Sequence, residues 1–265
     1  GDRREISHHA LHQAVASLAS GLRGLGVSIG DRVAAVLPNG PEAVIGMLAT
    51  TSLGAIWSSC SPDFGSEGII DRFGQIEPKV LIAIDQYVYG GKTFAPIDRL
   101  GDVLAGLPSV EHTIVASAGS GPADLASFTN AHAFETLASA ALNADLSFER
   151  LPFDHPIAIL YSSGTTGKPK CIVHGAGGTL LQHLKEHRLH TDLRPGDRMF
   201  YFTTCGWMMW NWLVSALASE ATLVLYDGSP FHPDGNRLFE LIDREEIQVF
   251  GVSAKFIDSA AKEGL

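Results

Sequence analysis

PIAILYSSGTTGKPKCIVH, residues 156–174, is the stretch whose reading decides the fold. Two short apolar runs, 156–161 and 171–174, flank a connector built almost wholly of Gly, Ser, Thr and Lys. Each run has the length of a buried strand and is too short for a helix. The connector carries hydroxyls on Ser162, Ser163, Thr165 and Thr166, ammonium groups on Lys168 and Lys170, and two glycines, Gly164 and Gly167. Glycine adopts positive φ and lets backbone N–H groups approach an anion closely. Hydroxyl and ammonium donors then hold the charge through short hydrogen bonds. The spacing excludes a Walker A loop, which needs four residues between its glycines and Ser or Thr after its Lys. Here two residues separate the glycines, and Pro169 follows Lys168. A phosphate-binding loop of another kind, slung between two strands, is expected.

Working outward, Ala10, Leu11, Ala14, Val15, Leu18, Leu22 and Leu25 recur at helical spacing, with Ser7 as N-cap and Gly24 and Gly26 as the stop. A Gly30-Asp31 turn leads into an apolar strand at 33–37, and Pro41 opens a helix continuing over 42–52. Strand 55–58, helix 67–75 and strand 79–84 come next. Between 90 and 150 the pattern predicts a helix over 96–107, a strand at 113–115, a loop at 117–122 and a helix over 131–141. Gly196-Asp197-Arg198 then echoes Gly30-Asp31-Arg32. After each echo come strand, helix, strand, helix and strand, the later ones at 222–225, 236–245 and 248–251. Such an order implies an α/β fold of two similar layered lobes, 1–152 and 153–265, each a mainly parallel sheet flanked by helices. The second lobe would carry the loop. A three-residue echo also arises by chance, so an old duplication and a coincidence both stand at this point.

Composition narrows the class. The 265 residues carry a net charge of −10 and are 45% hydrophobic, with 28 glycines. That balance argues against a nucleic-acid partner, because phosphate backbones are held mainly by Lys and Arg. Cys60, Cys171 and Cys205 form no C-x-x-C pair, which suggests reduced thiols and a cytoplasmic location. No secretory leader is expected. The most apolar stretch, 200–218, is interrupted by Thr203, Thr204, Asn211 and Ser215, so a strand and a buried helix are expected there, not a membrane span.

The loop at 162–170 resembles the ATP-phosphate loop of the adenylate-forming enzymes, a superfamily that includes acyl-CoA synthetases, luciferases and nonribosomal adenylation domains. The motifs SPDFG (61–65), DRFGQIEPKV (71–80), GWMMWNW (206–212) and LYDGSP (225–230) are similar to those of the acetoacetyl-CoA synthetase branch. The likeness runs over most of 31–255 and is poorest over 92–150. Acetyl- and propionyl-CoA synthetases are similar too, but have smaller residues and a Thr where Trp207, Met208, Met209 and Trp210 stand.

The resemblance implies an incomplete acyl-CoA synthetase-type N-terminal domain. It implies that Ser162, Ser163, Gly164, Thr165, Thr166, Gly167, Lys168 and Lys170 bind ATP, with Mg²⁺ bridging phosphate oxygens. It further implies that acetoacetate is converted to an acyl-adenylate and passed to CoA, and that Trp207, Met208, Met209 and Trp210 border the acyl pocket. Ser253, Ala254 and Lys255 would line the substrate cavity, where Lys255 meets a carboxylate or keto oxygen or is a solvated surface lysine. In the family, further motifs come later in the chain: an acid for Mg²⁺, an aspartate for the ribose and a lysine on a mobile domain. The remainder of a parent enzyme is therefore expected as a partner, and little turnover from these residues alone.

Other readings remain. One is another short-chain acyl-CoA synthetase; another is a non-catalytic nucleotide-binding fragment. His183, Glu186 and His187 have the H-x-x-E-H spacing of a zinc protease, with His190 nearby, against the plainer reading of a partly solvated helix face. His8, His9 and His12 read as terminal surface residues.

Overall fold

Helix α1 (His8–Gly24) starts where the Ser7 hydroxyl accepts the Ala10 N–H at 3.1 Å. It turns Val15, Leu18, Ala19 and Leu22 into the core and stops before Gly26, whose φ of +80° suits glycine. The computed structural model describes residues 3–119, 121–141, 144–162 and 167–265. Strand β1 (Arg32–Val36) is followed by α2 (Pro41–Ser52), β2 (Ile56–Cys60), α3 (Ser66–Phe73) and β3 (Val80–Ile84). Then come a hairpin, β4 (Tyr87–Tyr89) and β5 (Lys92–Phe94), a 3-10 turn (Pro96–Arg99), α4 (Leu100–Ala105), β6 (His112–Ala116), β7 (Ala131–Ala133) and α5 (Phe134–Ser139). β8 (Pro156–Tyr161) and β9 (Cys171–Gly175) complete a seven-stranded sheet in the order β7-β6-β3-β1-β2-β8-β9. Its neighbours are parallel except for the antiparallel β8–β9 hairpin. α1, α2 and α5 cover one face and α3 and α4 the other, which is why β1 and β3 are buried on both sides.

A second, three-stranded sheet is built by α6 (Ala176–Lys185), a π-helical turn (Glu186–His190), β10 (Arg198–Tyr201), α7 (Met208–Ser215), β11 (Thr222–Val224), α8 (Arg237–Glu245), β12 (Val249–Gly251) and α9 (Ala254–Glu263). β10 lies between β11 and β12, all parallel, as β1 lies between β2 and β3. The echo extends to single bonds. Asp31 and Asp197 accept the N–H three residues before them, from Ser28 at 2.9 Å and Arg194 at 2.7 Å. Gly30 and Gly196, at φ +81° and +87°, donate to Gly54 and Glu220 carbonyls at 2.9 Å each. Glu77 and Glu246, both at positive φ, stand three residues before β3 and β12. These shared details make the three-residue echo part of a repeated βαβαβ unit.

Three expectations need correction. β8 and β9, grouped by sequence with the second lobe, hydrogen-bond into the first sheet through Trp57↔Ala158. Residues 131–133 form an edge strand beside β6, and only Phe134–Ser139 is helical. His183 and His187 are 6% and 0% exposed, so their helix face is interior rather than solvated. The run at 200–218 is a strand end and a helix, and none of the described helices is long and apolar enough to cross a membrane.

Candidate functional site

The loop hangs from the carboxyl end of β8. Ser162 N–H donates to the Lys170 carbonyl at 3.0 Å, and Lys170 N–H to the Ser162 hydroxyl oxygen at 3.2 Å, closing the hairpin. Ser163, Gly164, Thr165 and Thr166 lie outside the described residues. Gly167 has φ +121°, a conformation only glycine takes without strain. Lys168 is 71% exposed, and its Nζ lies 3.1 Å from Asp71 on α3. One residue on, the Pro169 carbonyl accepts from Gln75 Nε2 at 2.8 Å. Lys170 is exposed. Two of the atoms expected to bind phosphate thus already have partners within the chain, Ser162 Oγ as an acceptor and Lys168 Nζ in an ion pair.

β8 runs parallel to β2 and β1, so the loop shares the carboxyl end of the sheet with the segments after those strands. That end faces the carboxyl end of the second sheet. Asn39, 4% exposed, makes the junction: its Nδ2 donates to the Thr203 and Tyr226 carbonyls, both at 3.3 Å, while Oδ1 accepts from Trp210 Nε1 at 2.9 Å. Ser59 Oγ donates to the Cys205 carbonyl at 2.6 Å, and the Cys205 thiol points at the Leu37 carbonyl at 2.9 Å. A Cβ on Gly206 would stand 3.2 Å from Cys60 Cα, so glycine permits this close approach. Ligands of open α/β sheets bind in crevices at such carboxyl ends.

The predicted acyl-pocket residues divide. Trp207 and Met209 line an open cavity of about 260 Å³ with Tyr201, Phe202, Thr203 and Thr204, at the carboxyl end of β10. Met208 is exposed beside it. Trp210 is fully buried and spends its N–H on Asn39, so it holds the crevice together and does not line that cavity. Ser253 caps α9, accepting the Phe256 N–H at 3.2 Å; Ala254 and Lys255 are exposed in its first turn, at the carboxyl end of β12. Asn39 was missed by sequence reasoning; its only signal was a Pro-Asn-Gly-Pro turn directly after a predicted strand.

Burial pushes the Cys205 thiol up to about 12 and raises that of Cys60, so neither is a thiolate near neutral pH. A second cavity, of about 430 Å³, lies at the opposite end of β8, walled by Ile157, Ala158, Met47, His174 and His183. His183 Nδ1 and His187 Nε2 both meet Ser215 Oγ at 3.0 Å. Among the described residues no group of three or more His, Cys, Asp or Glu is placed to hold a metal ion.

This fold and crevice are those of a ligand-binding α/β protein, and the family comparison names the class: residues 1–264 match the model for the AMP-binding enzyme family, and the chain belongs to it. Among relatives, it is 55% identical to acetoacetyl-coenzyme A synthetase of Rhizobium meliloti (strain 1021), across 96% of this chain and 39% of that protein. It is 48% identical to acetoacetyl-CoA synthetase of Gallus gallus, again over 96% and 39%. The solved acetoacetyl-CoA synthetase from Streptomyces lividans superposes with a TM-score of 0.94 at 44% identity, over all of this chain and 40% of that one. The chain therefore spans about two fifths of the length of the relatives it matches.

Proposed function

We propose that the chain is the ATP-gripping part of an AMP-forming acid–thiol ligase that joins acetoacetate to CoA. The observation that carries this reading is the Ser/Thr/Gly/Lys loop, slung from β8 at the end of the sheet that faces the second sheet's carboxyl end. A carboxylate is a poor acyl donor because oxide would have to leave. Attack of the acetoacetate carboxylate on the α-phosphorus of ATP expels pyrophosphate and gives an acyl-adenylate. The CoA thiolate then attacks the acyl carbon, and AMP departs. The protein's work is to place the reactants and neutralise phosphate charge.

In this reading residues 162–170 hold the β- and γ-phosphates. Trp207, Met208 and Met209 border the acyl group, and Ser253, Ala254 and Lys255 lie on the substrate side. Trp210 supports the pocket from behind through Asn39. Mg²⁺ enters as the counter-ion of ATP, and its bond set is not assigned to these residues. The partner is the remainder of a parent enzyme, and the location is the cytoplasm. The lobes divide where the sheets change, between Gly175 and Arg198, in place of 152/153. Acetoacetate is favoured over other small acids by the bulky Trp207-Met208-Met209 run, read together with the names of the relatives. Comparing acetoacetate, acetate, propionate and butyrate on the whole enzyme tests this. Equal kcat/KM for all four would reject the acyl assignment. An unchanged MgATP affinity of the whole enzyme after Lys168→Ala, read by equilibrium dialysis, would reject the loop assignment.

A further inference from the structure

Two consecutive loop residues are held by one turn of a neighbouring helix. Lys168 Nζ lies 3.1 Å from Asp71 Oδ1, and the carbonyl of Pro169 accepts from Gln75 Nε2 at 2.8 Å. Asp71 and Gln75 are four apart, so they lie above one another on the same face of α3 and its terminal turn. The Gln75 amide also reaches the Asp71 carbonyl at 2.7 Å, tying the two holding residues together. α3 itself is anchored: Ile69 and Phe73 are buried under the sheet, and the Arg72 guanidinium lies 4.1 Å over the Phe64 ring. A fixed helix therefore holds the exit arm of the phosphate loop.

The carboxylate is placed against the helix. Asp71 lies in the last turn of α3, where the exposed carbonyls favour a cation and disfavour an acid. The helix gains nothing from an acid there. What the acid does have is the loop's ammonium group.

We propose that Asp71 is a positioning residue that holds Lys168 on α3 and competes with the triphosphate for its charge. The inference rests on reading residues 162–170 as the phosphate loop. The pair is solvent-exposed on the lysine side, with Lys168 71% and Asp71 32% exposed, so it is weak enough to be exchanged for a polyanion. When ATP arrives, Lys168 leaves Asp71 for phosphate, while Gln75 keeps the Pro169 backbone in place. Asp71 thus opposes nucleotide binding by occupying its cation and by repelling an anion, and both effects have the same sign.

The test uses the whole enzyme, MgATP and three isosteric or near-isosteric variants. In equilibrium dialysis at low salt, Asp71→Asn binds MgATP about two- to five-fold more tightly than wild type, the range expected for releasing one exposed ion pair, and the gain shrinks as salt is raised. Asp71→Glu behaves as wild type. Glu67→Gln, which neutralises an exposed acid in the first turn of the same helix, leaves affinity unchanged. Without nucleotide, acylation of Lys168 by an amine-reactive ester, read by peptide mass mapping, proceeds at a different rate in Asp71→Asn than in wild type. Wild type that binds ATP with no gain in Asp71→Asn, or an equal gain in Glu67→Gln, overturns the role of Asp71 alone. An unchanged Lys168 acylation rate overturns it without reference to ATP. Wild type that binds no ATP overturns the loop reading, and this inference with it.

Discussion

At the scale of single residues, the polar groups buried between the sheets are the ones whose loss should be felt. Trp210 is fully buried, and its N–H is the donor to Asn39 Oδ1. Trp210→Phe keeps most of the volume but strands that oxygen, which should cost about 1–3 kcal/mol. In urea denaturation, the Asn39→Ala, Trp210→Phe double variant should lose less than the sum of the two single variants, because both remove the same bond. Strict additivity would show that the bond contributes nothing. His183 supplies a pH signature. Burial, with His187 beside it, lowers its pKa from the ordinary 6.5 to about 4. Between those values the unfolded chain binds a proton that the native chain refuses, so stability falls as pH falls. The slope is at most about 1.4 kcal/mol per pH unit for one histidine. His187 is shifted the same way by burial. The urea midpoint should therefore drop from pH 7 to pH 5, and drop less in His183→Gln. A midpoint that is flat or rises over that interval contradicts the buried neutral pair. Of these residues the sequence pointed to Trp210 and the histidines, each for another purpose, and gave Asn39 no role. The histidines' H-x-x-E-H spacing suggested zinc or a partly solvated face, whereas burial of an imidazole depends on what α7 brings against it from 28 and 32 positions away.

Elements show where sequence reasoning reaches and where it stops. β12 is paired to β10 with Gly251 opposite Tyr201. A Cβ at Gly251 would run into the Tyr201 ring, which also walls the cavity beside Trp207 and Met209. Gly251→Ala should destabilise the small sheet by about 1–3 kcal/mol, the usual cost of overpacking, and should alter Trp207 fluorescence. Unchanged stability and emission would mean the ring moves aside freely. Local signals were read well. Ser7, Pro41 and the glycines at 26, 30 and 196 fixed ends and turns because capping and positive φ are written in the residues themselves. The two strands around the phosphate loop were equally plain. Pairing was not. Sequence order groups β8 and β9 with the later strands, because no residue in 156–175 states that Ala158 will lie beside Trp57, a hundred positions earlier. The hairpin β4–β5 went unseen, since its strands are three residues each and largely exposed, leaving little apolar alternation to detect. Residues 131–133 joined β6 as an edge strand despite helix-favouring alanines, tertiary pairing overriding propensity.

For the whole molecule the question is whether two sheets behave as one folding unit. They meet through a small number of buried polar bonds rather than a broad polar rim. Asn39 reaches Thr203, Tyr226 and Trp210; the Ser59 hydroxyl accepts the Trp57 indole N–H at 3.0 Å and donates to the Cys205 carbonyl; the Cys205 thiol points back to Leu37. Trp210, Cys205 and Val214, all from the second half, sit in the same hydrophobic cluster as Leu18, Val33 and Trp57. At the far side Glu245, 7% exposed, binds Arg198 of the second sheet and Arg3 ahead of α1. Separating the sheets would expose that shared cluster and exchange each of these bonds for hydration, a loss of about 0.5–1.5 kcal/mol per bond. Neither sheet should then persist without the other. Urea unfolding followed by far-UV circular dichroism and by tryptophan emission should give one coincident transition, since Trp57 reports on the first sheet and Trp210 and Trp212 on the second. Ser59→Ala strands the Trp57 indole and breaks the bond to Cys205, so it should shift both signals together to lower urea. Two midpoints, or a Ser59→Ala curve in which tryptophan emission changes ahead of the dichroism, would show that the junction at Asn39 and Cys205 is a contact between independent lobes, and a nucleotide held across it would then be gripped by parts free to move apart.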